Sequence, residues 1–271
     1  MFQNKMVTPA IPERVYTLCK IVEKKAMSTS EVKEKMEPSY LNQKSSYYND
    51  YRNAAEELQL ITVTDNVLSV AVDTSVLKNM DTMRSYINGQ LNQFREGQFY
   101  KVTKAYFDMG EEILHGEQNV ANMASLMTLK TGISVDSMAM RAWRFWASYL
   151  GFGYLQDMFV IPNADTFLQD IISEAEFEKN KRYSIAEFLE KLRPHSDIII
   201  DSSNGTKKFS FGVSNGLRTL QDAGAIRMEY ILDQEDTWNL YHVDALSANE
   251  TVTNITAVSY THLRAHETGA Y

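Results

Sequence analysis

Two stretches decide how this chain reads: STSEVKEKMEP at residues 28–38 and SIAEFLEKLRP at residues 184–194, 156 positions further on. Ser28/Ser184, Glu31/Glu187, Glu34/Glu190, Lys35/Lys191 and Pro38/Pro194 are identical pairs, and Val32/Phe188 and Met36/Leu192 are apolar pairs. Each stretch has the form of a capped helix. A serine with glutamate three residues on lets each side chain satisfy the other's backbone amide. A proline closes each one, because proline disfavours helix in the residue before it.

The surroundings repeat as well. In IPERVYTLCKIVEKK (11–25), Val15, Leu18, Cys19 and Val22 fall at helical spacing and predict an amphipathic helix. A third helix is predicted over 45–60, with Tyr48, Tyr51, Ala55 and Leu58 on one side. ITVTDNVLSVAV (61–72) reads as a hairpin, two β-branched runs around Thr64-Asp65-Asn66. The later copy predicts the same order: a helix over 164–180, the capped helix over 184–192, and a longer loop with a short strand at Ile198–Ile200. A third helix then starts near Phe211 and stops at Gly224. Its hairpin is predicted from IRMEYIL and TWNLYHV around Asp233-Gln234-Glu235-Asp236. The middle reads as helical over 78–95, 101–115, 119–131 and 136–150. Residues 138–161 repeat an aromatic helix, a glycine stop at Gly151 and a strand, so a third, degenerate unit stands as an open alternative to a plain helical middle.

Helix, helix, helix and hairpin in that order resembles the winged helix-turn-helix domain. The resemblance implies a mainly α fold with small β-hairpin wings (α+β). It implies units at 1–76 and 164–246, a middle at 77–163 and a tail at 247–271. It also implies duplex DNA as a partner, since the third helix of such a unit enters the major groove. The candidate contacts are Lys44, Ser45, Ser46, Tyr47, Asn49 and Arg52 in the first unit. In the last they are Lys207, Lys208, Ser210, Ser214, Asn215 and Arg218. Asparagine can read adenine, and Lys, Ser and Tyr suit phosphates. The same residue types suit a surface for other protein subunits, or a solvated face, so a scaffold binding partner proteins is the alternative. A ligand-responsive regulator with its pocket in the middle helices is a third reading. The layout is also similar to accessory proteins of bacterial anti-phage or DNA-modification gene clusters, including a winged-helix component of deazaguanine DNA-modification systems.

Charge restrains the DNA reading. The chain has 271 residues and a formal net charge of −8, whereas non-specific nucleic-acid binding rests on neutralising phosphates. Residues 1–75 hold nine Lys+Arg and ten Asp+Glu, a formal −1. Asp50 beside the first contact set, and Asp233, Glu235 and Asp236 at the second wing tip, would repel phosphate.

Other signals point away from catalysis. GFG at 151–153 lacks the rest of a dinucleotide fingerprint, and HGE at 115–117 lacks a second histidine at zincin spacing. Glu111 and Glu112 are adjacent and face different sides of a helix. The aromatic run Trp143, Phe145, Trp146 and Tyr149 has the spacing of a core stripe, with Arg141 and Arg144 beside it. A single cysteine, Cys19, excludes an internal disulfide. No enzyme activity, cofactor or metal is expected. No apolar run approaches the roughly 20 residues of a membrane span, and no secretory signal opens the chain, so no membrane association is expected and the cytosol is the expected compartment. Residues 258–268, VSYTHLRAHET, resemble a translated sequencing adapter, which makes 258–271 an expected artefact.

Overall fold

The computed structural model describes residues 2–41, 46–115, 119–195, 197–199, 206–243 and 250–258. The protein is mainly helical, and the described strands form small antiparallel sheets of two or three strands.

The first unit runs α1 (Pro12–Glu23), β1 (Met27–Ser28), α2 (Thr29–Met36), α3 (Tyr48–Glu57), β2 (Ile61–Thr64) and β3 (Val67–Val70). Val15, Leu18, Cys19 and Val22 form the buried stripe of α1. Ser28 and Glu31 make the predicted reciprocal cap of α2. β1 was not legible in the sequence; it adds a third strand in the order β1-β3-β2, with Met27 opposite Leu68.

The middle holds α4 (Met80–Asn88), α5 (Gln98–Asp108), α6 (Glu112–His115), α7 (Val120–Thr131), α8 (Ser137–Tyr149), β4 (Gly153–Gln156) and β5 (Phe159–Pro162). The helix predicted over 78–95 is broken after α4, and a 3₁₀ turn follows at Leu91–Phe94. There the buried Asn88 side chain is committed to the Leu150 carbonyl and to Asp170.

The last unit runs α9 (Asp165–Glu174), β6 (Arg182–Ser184), α10 (Ile185–Leu192), α11 (Phe211–Asp222), β7 (Ile226–Glu229), β8 (Trp238–Asn239), β9 (Thr251–Val252) and β10 (Asn254–Ala257). α9 ends at Glu174, short of the predicted 180, because Phe177 turns back to pack on Tyr183 and Phe188. Ile198 and Ile199 lie in a buried turn in place of the predicted strand, and Ile200 falls outside the described residues.

The three helix-to-hairpin junctions are built alike. The chain leaves α3, α8 and α11 through a left-handed residue: Gln59 (φ 57°), Gly151 (φ 81°) and Gly224 (φ 72°). In each, the next amide reaches back to a helical carbonyl: Leu60 to Ala55, Phe152 to Ala147 and Ala225 to Leu220. That is the Schellman closure, which satisfies carbonyls a helix end leaves open. Each junction then feeds a hairpin of four residues against four. The middle thus carries a third helix–hairpin element.

One expectation about the last hairpin is overturned. TWNLYHV is not the partner of β7. That partner is β10, which lies between β6 and β7 with Ile255 opposite both Tyr183 and Met228. Residues 251–257, placed in a tail by the sequence, therefore complete the last sheet. Flanked by β6 and β7, this segment is closed off from solvent: Val252 to Ala257 are all buried, the polar Thr253, Asn254 and Thr256 among them. TWNLYHV supplies only β8, which pairs with β9.

Buried side chains from all three parts join in one core. Trp146 Nε1 donates to the Ala10 carbonyl, and Arg84 of α4 pairs with Asp170 of α9 at 2.9 Å. Among the described residues, no helix is long and apolar enough to cross a membrane.

Candidate recognition surfaces

In the first unit, α3 turns Tyr48, Tyr51, Ala54 and Ala55 inward. Asn49 and Asn53 are exposed and Arg52 is half-buried. Arg52 Nη2 donates to Asn53 Oδ1 at 2.7 Å. Lys44 and Ser45 lie outside the described residues. Ser46 and Tyr47 are exposed, and both belong to a cluster organised by Glu37. The Glu37 carboxylate accepts from Ser46 Oγ at 2.7 Å, Tyr47 N at 3.0 Å and Tyr51 Oη at 3.1 Å. Burial, and then Glu37 itself, pushes the Asp50 carboxyl above its ordinary value. The start of α3 therefore already carries an anion. A helix N-terminus attracts negative charge, and here Glu37 of the chain stands beside it, bonded to the amide of the N-cap residue Tyr47.

Around this corner, Tyr40 is 77% exposed, Leu41 72% and Tyr47 44%. Sequence reading missed all of this except Tyr47. The signal was present as SYL at 39–41, apolar residues directly after the helix-ending proline.

The last unit does not present its third helix in the expected way. Along α11, none of the residues from Phe211 to Leu220 is exposed. Ser214 is 0% exposed. Its Oγ accepts from Tyr241 N at 2.7 Å. Asn215 Nδ2 donates to the Pro162 carbonyl at 3.1 Å. Arg218 Nη2 donates to the Tyr241 carbonyl at 2.7 Å. Ser210 is the helix cap, accepting from Val213 N. Lys207 is exposed but paired with Asp236 at 3.0 Å, and Lys208 is exposed. The expectation of an open, groove-reading α11 is therefore corrected: Ser214, Asn215 and Arg218 make internal hydrogen bonds.

Two glycines allow this close packing. A Cβ on Gly212 would lie 2.4 Å from Phe107 Cε1 and 2.9 Å from Pro162 Cβ. One on Gly216 would lie 2.7 Å from the Ala164 carbonyl carbon. Four residues apart, the pair shares one helix face, and that face is pressed onto the segment joining β5 to α9.

Of the remaining candidates, Trp143, Trp146, Arg144 and Cys19 are held within the fold. Trp143 and Trp146 are core residues, with Trp143 Nε1 donating to Thr103 Oγ1 at 2.9 Å. Arg144 is held by the Asp157 carbonyl and lies 4.7 Å from the centre of the Phe145 ring. Arg141 is exposed. Cys19 is buried, and burial pushes its thiol up to about 12, which keeps it protonated and unreactive near neutral pH. Among the described residues, no group of three or more His, Cys, Asp or Glu is placed to hold a metal ion.

No protein-family model matches this chain, and no curated protein or solved structure matches it significantly.

Proposed function

We propose that this chain is a non-enzymatic adaptor that binds a partner protein through the α2–α3 corner of its first unit. The observation that carries this reading is Glu37. Its carboxylate sits among the first groups of α3, where a phosphate would have to dock, and Tyr40, Leu41 and Tyr47 open to solvent beside it. Exposed aromatic and apolar side chains at one corner suit a protein interface. The net charge of −8 adds a general repulsion against polyanions.

The test is co-purification of the full chain with a stoichiometric partner, compared with the variant Tyr40→Ser/Leu41→Ser/Tyr47→Ser. Loss of the partner by that variant supports the reading, and retention overturns it.

Duplex DNA is the second reading for the same helix. It is favoured by Asn49 and Arg52, which lie on the outward side of α3. In that case Asn49→Ala and Arg52→Ala would each weaken duplex binding measured at low salt, and the triple variant would keep its protein partners.

A further inference from the structure

The hairpins of the first and middle units turn in two residues, Asp65-Asn66 and Asp157-Met158. The last hairpin closes in the same register, Glu229 opposite Asn254, yet holds residues 230–253 between its strands. This insertion carries Asp233, Glu235, Asp236, Asp244 and Glu250 and contains no lysine or arginine. Its described part folds back onto α11 and the approach to it. Trp238 packs on Phe209 at 5.1 Å between ring centres, and Tyr241 meets Phe211 edge-on at 5.4 Å.

The polar contacts of the insertion fall on the groups that the sequence marks for phosphate. Asp236 takes Lys207, the Tyr241 amide takes the Ser214 hydroxyl, and the Tyr241 carbonyl takes Arg218. A carboxylate on an ammonium and a carbonyl oxygen on a guanidinium reproduce contacts that phosphate oxygens make. The replacement is incomplete. Nη1 of Arg218 is buried without a hydrogen-bond partner among the described residues, so the carbonyl fills one arm of a fork built for two acceptors.

We infer that residues 230–243 of the insertion form an autoinhibitory cover, with the Asp236 carboxylate on Lys207 and the Tyr241 carbonyl on Arg218, over a latent duplex-binding face made of Lys207, Ser214 and Arg218 with the open Lys208 at its edge. This face is separate from the first-unit corner. Charge reversal at Lys207 and Lys208 leaves that corner intact, so failure of this inference and failure of the partner-protein reading are distinguishable.

The test uses the full chain with 230–253 replaced by Asn-Gly, a dipeptide suited to a two-residue turn. Its affinity for duplex DNA at low salt rises at least tenfold over the parent. Three cationic contacts give a slope of log K against log salt of about −3. Adding Lys207→Glu and Lys208→Glu cancels the gain. Because the shortened hairpin can fail to fold, two full-length variants accompany it. Trp238→Ala/Tyr241→Ala loosens the insertion, and Asp233→Asn/Glu235→Gln/Asp236→Asn removes charge at constant length. Each raises duplex affinity several-fold. Opening is read separately by thiol labelling of Ser214→Cys, which is protected in the parent and reactive in the loosened form. A reactive thiol with duplex binding still at the parent level overturns the inference. So does a thiol that stays protected in the loosened form, or a parent that binds duplex as tightly as the opened forms.

Discussion

The Tyr106 hydroxyl holds both backbone polar groups of Val160, donating to its carbonyl at 2.8 Å and accepting from its amide at 3.3 Å. Val160 is the second residue of β5. The second residue of β3, Leu68, pairs there with Met27 of β1, and the second residue of β10, Ile255, pairs with Tyr183 of β6. In the middle hairpin, one side-chain hydroxyl from α5 thus stands where the other two have a third strand. Burial pushes that hydroxyl's pKa well up, so it stays protonated and able to donate.

Tyr106→Phe is predicted to destabilise the chain by about 1–3 kcal/mol, the range for leaving a buried backbone group unsatisfied. Urea unfolding measures it. An unchanged midpoint would show that the hydroxyl does not replace the strand.

Gly212→Ala and Gly216→Ala are predicted to destabilise, each by about 1–3 kcal/mol, because the new methyl meets backbone or a ring closer than 3.0 Å. In an exposed helix the same change would stabilise by about 1 kcal/mol, so the sign is the test. Gly89→Ala is the control. It ends α4 with ordinary dihedrals and would meet nothing closer than 3.6 Å, so it is expected to be neutral or mildly stabilising. Thermal melting of the three variants decides it.

Ser28→Ala and Ser184→Ala are predicted to cost about 1 kcal/mol each through loss of a helix cap. The same caps give a pH dependence. Hydrogen bonds from the Ser28 side chain and amide hold Glu31 below its ordinary value, and those from the Ser184 amide and side chain do the same for Glu187. A lowered folded-state value means stability that is present above the unfolded value and lost as pH falls through the folded one. The parent should therefore lose more stability than Ser28→Ala/Ser184→Ala as pH falls through the folded-state values of the two glutamates. The gap between the two melting curves should narrow without closing, because the bonds from the Glu31 and Glu187 amides to the serine hydroxyls do not titrate.

Arg84→Leu is predicted to cost about 3 kcal/mol near neutral pH, since it leaves Asp170 buried with only Asn88 as a partner. Burial already pushes the Asp170 carboxyl upward, with Arg84 opposing it. Without Arg84 the folded-state value rises further. A raised value means stability greatest below the unfolded value and declining as pH climbs through the folded one. Arg84→Leu should accordingly recover toward the parent as pH is lowered from 7 to 4. A deficit that does not change with pH would contradict this account.

The sequence determined the local elements. The serine–glutamate caps of α2 and α10, the amphipathic stripe of α1, the Asp65-Asn66 turn and the left-handed stops at Gly151 and Gly224 are interactions within a few residues, so spacing alone reveals them. The core role of Trp143 and Trp146 followed from the same periodicity. Tertiary structure decided which faces meet. No local signal told that Tyr106 replaces a strand, that Gly212 and Gly216 press α11 onto the β5–α9 connection, or that β10 rather than TWNLYHV pairs with β7. Each depends on partners 25 or more positions away. A residue's type shows what it can bond; only the packed chain shows whether that bond is already taken. That is why Ser214 and Arg218 look like contacts for a partner in the sequence and are occupied by Tyr241 in the fold.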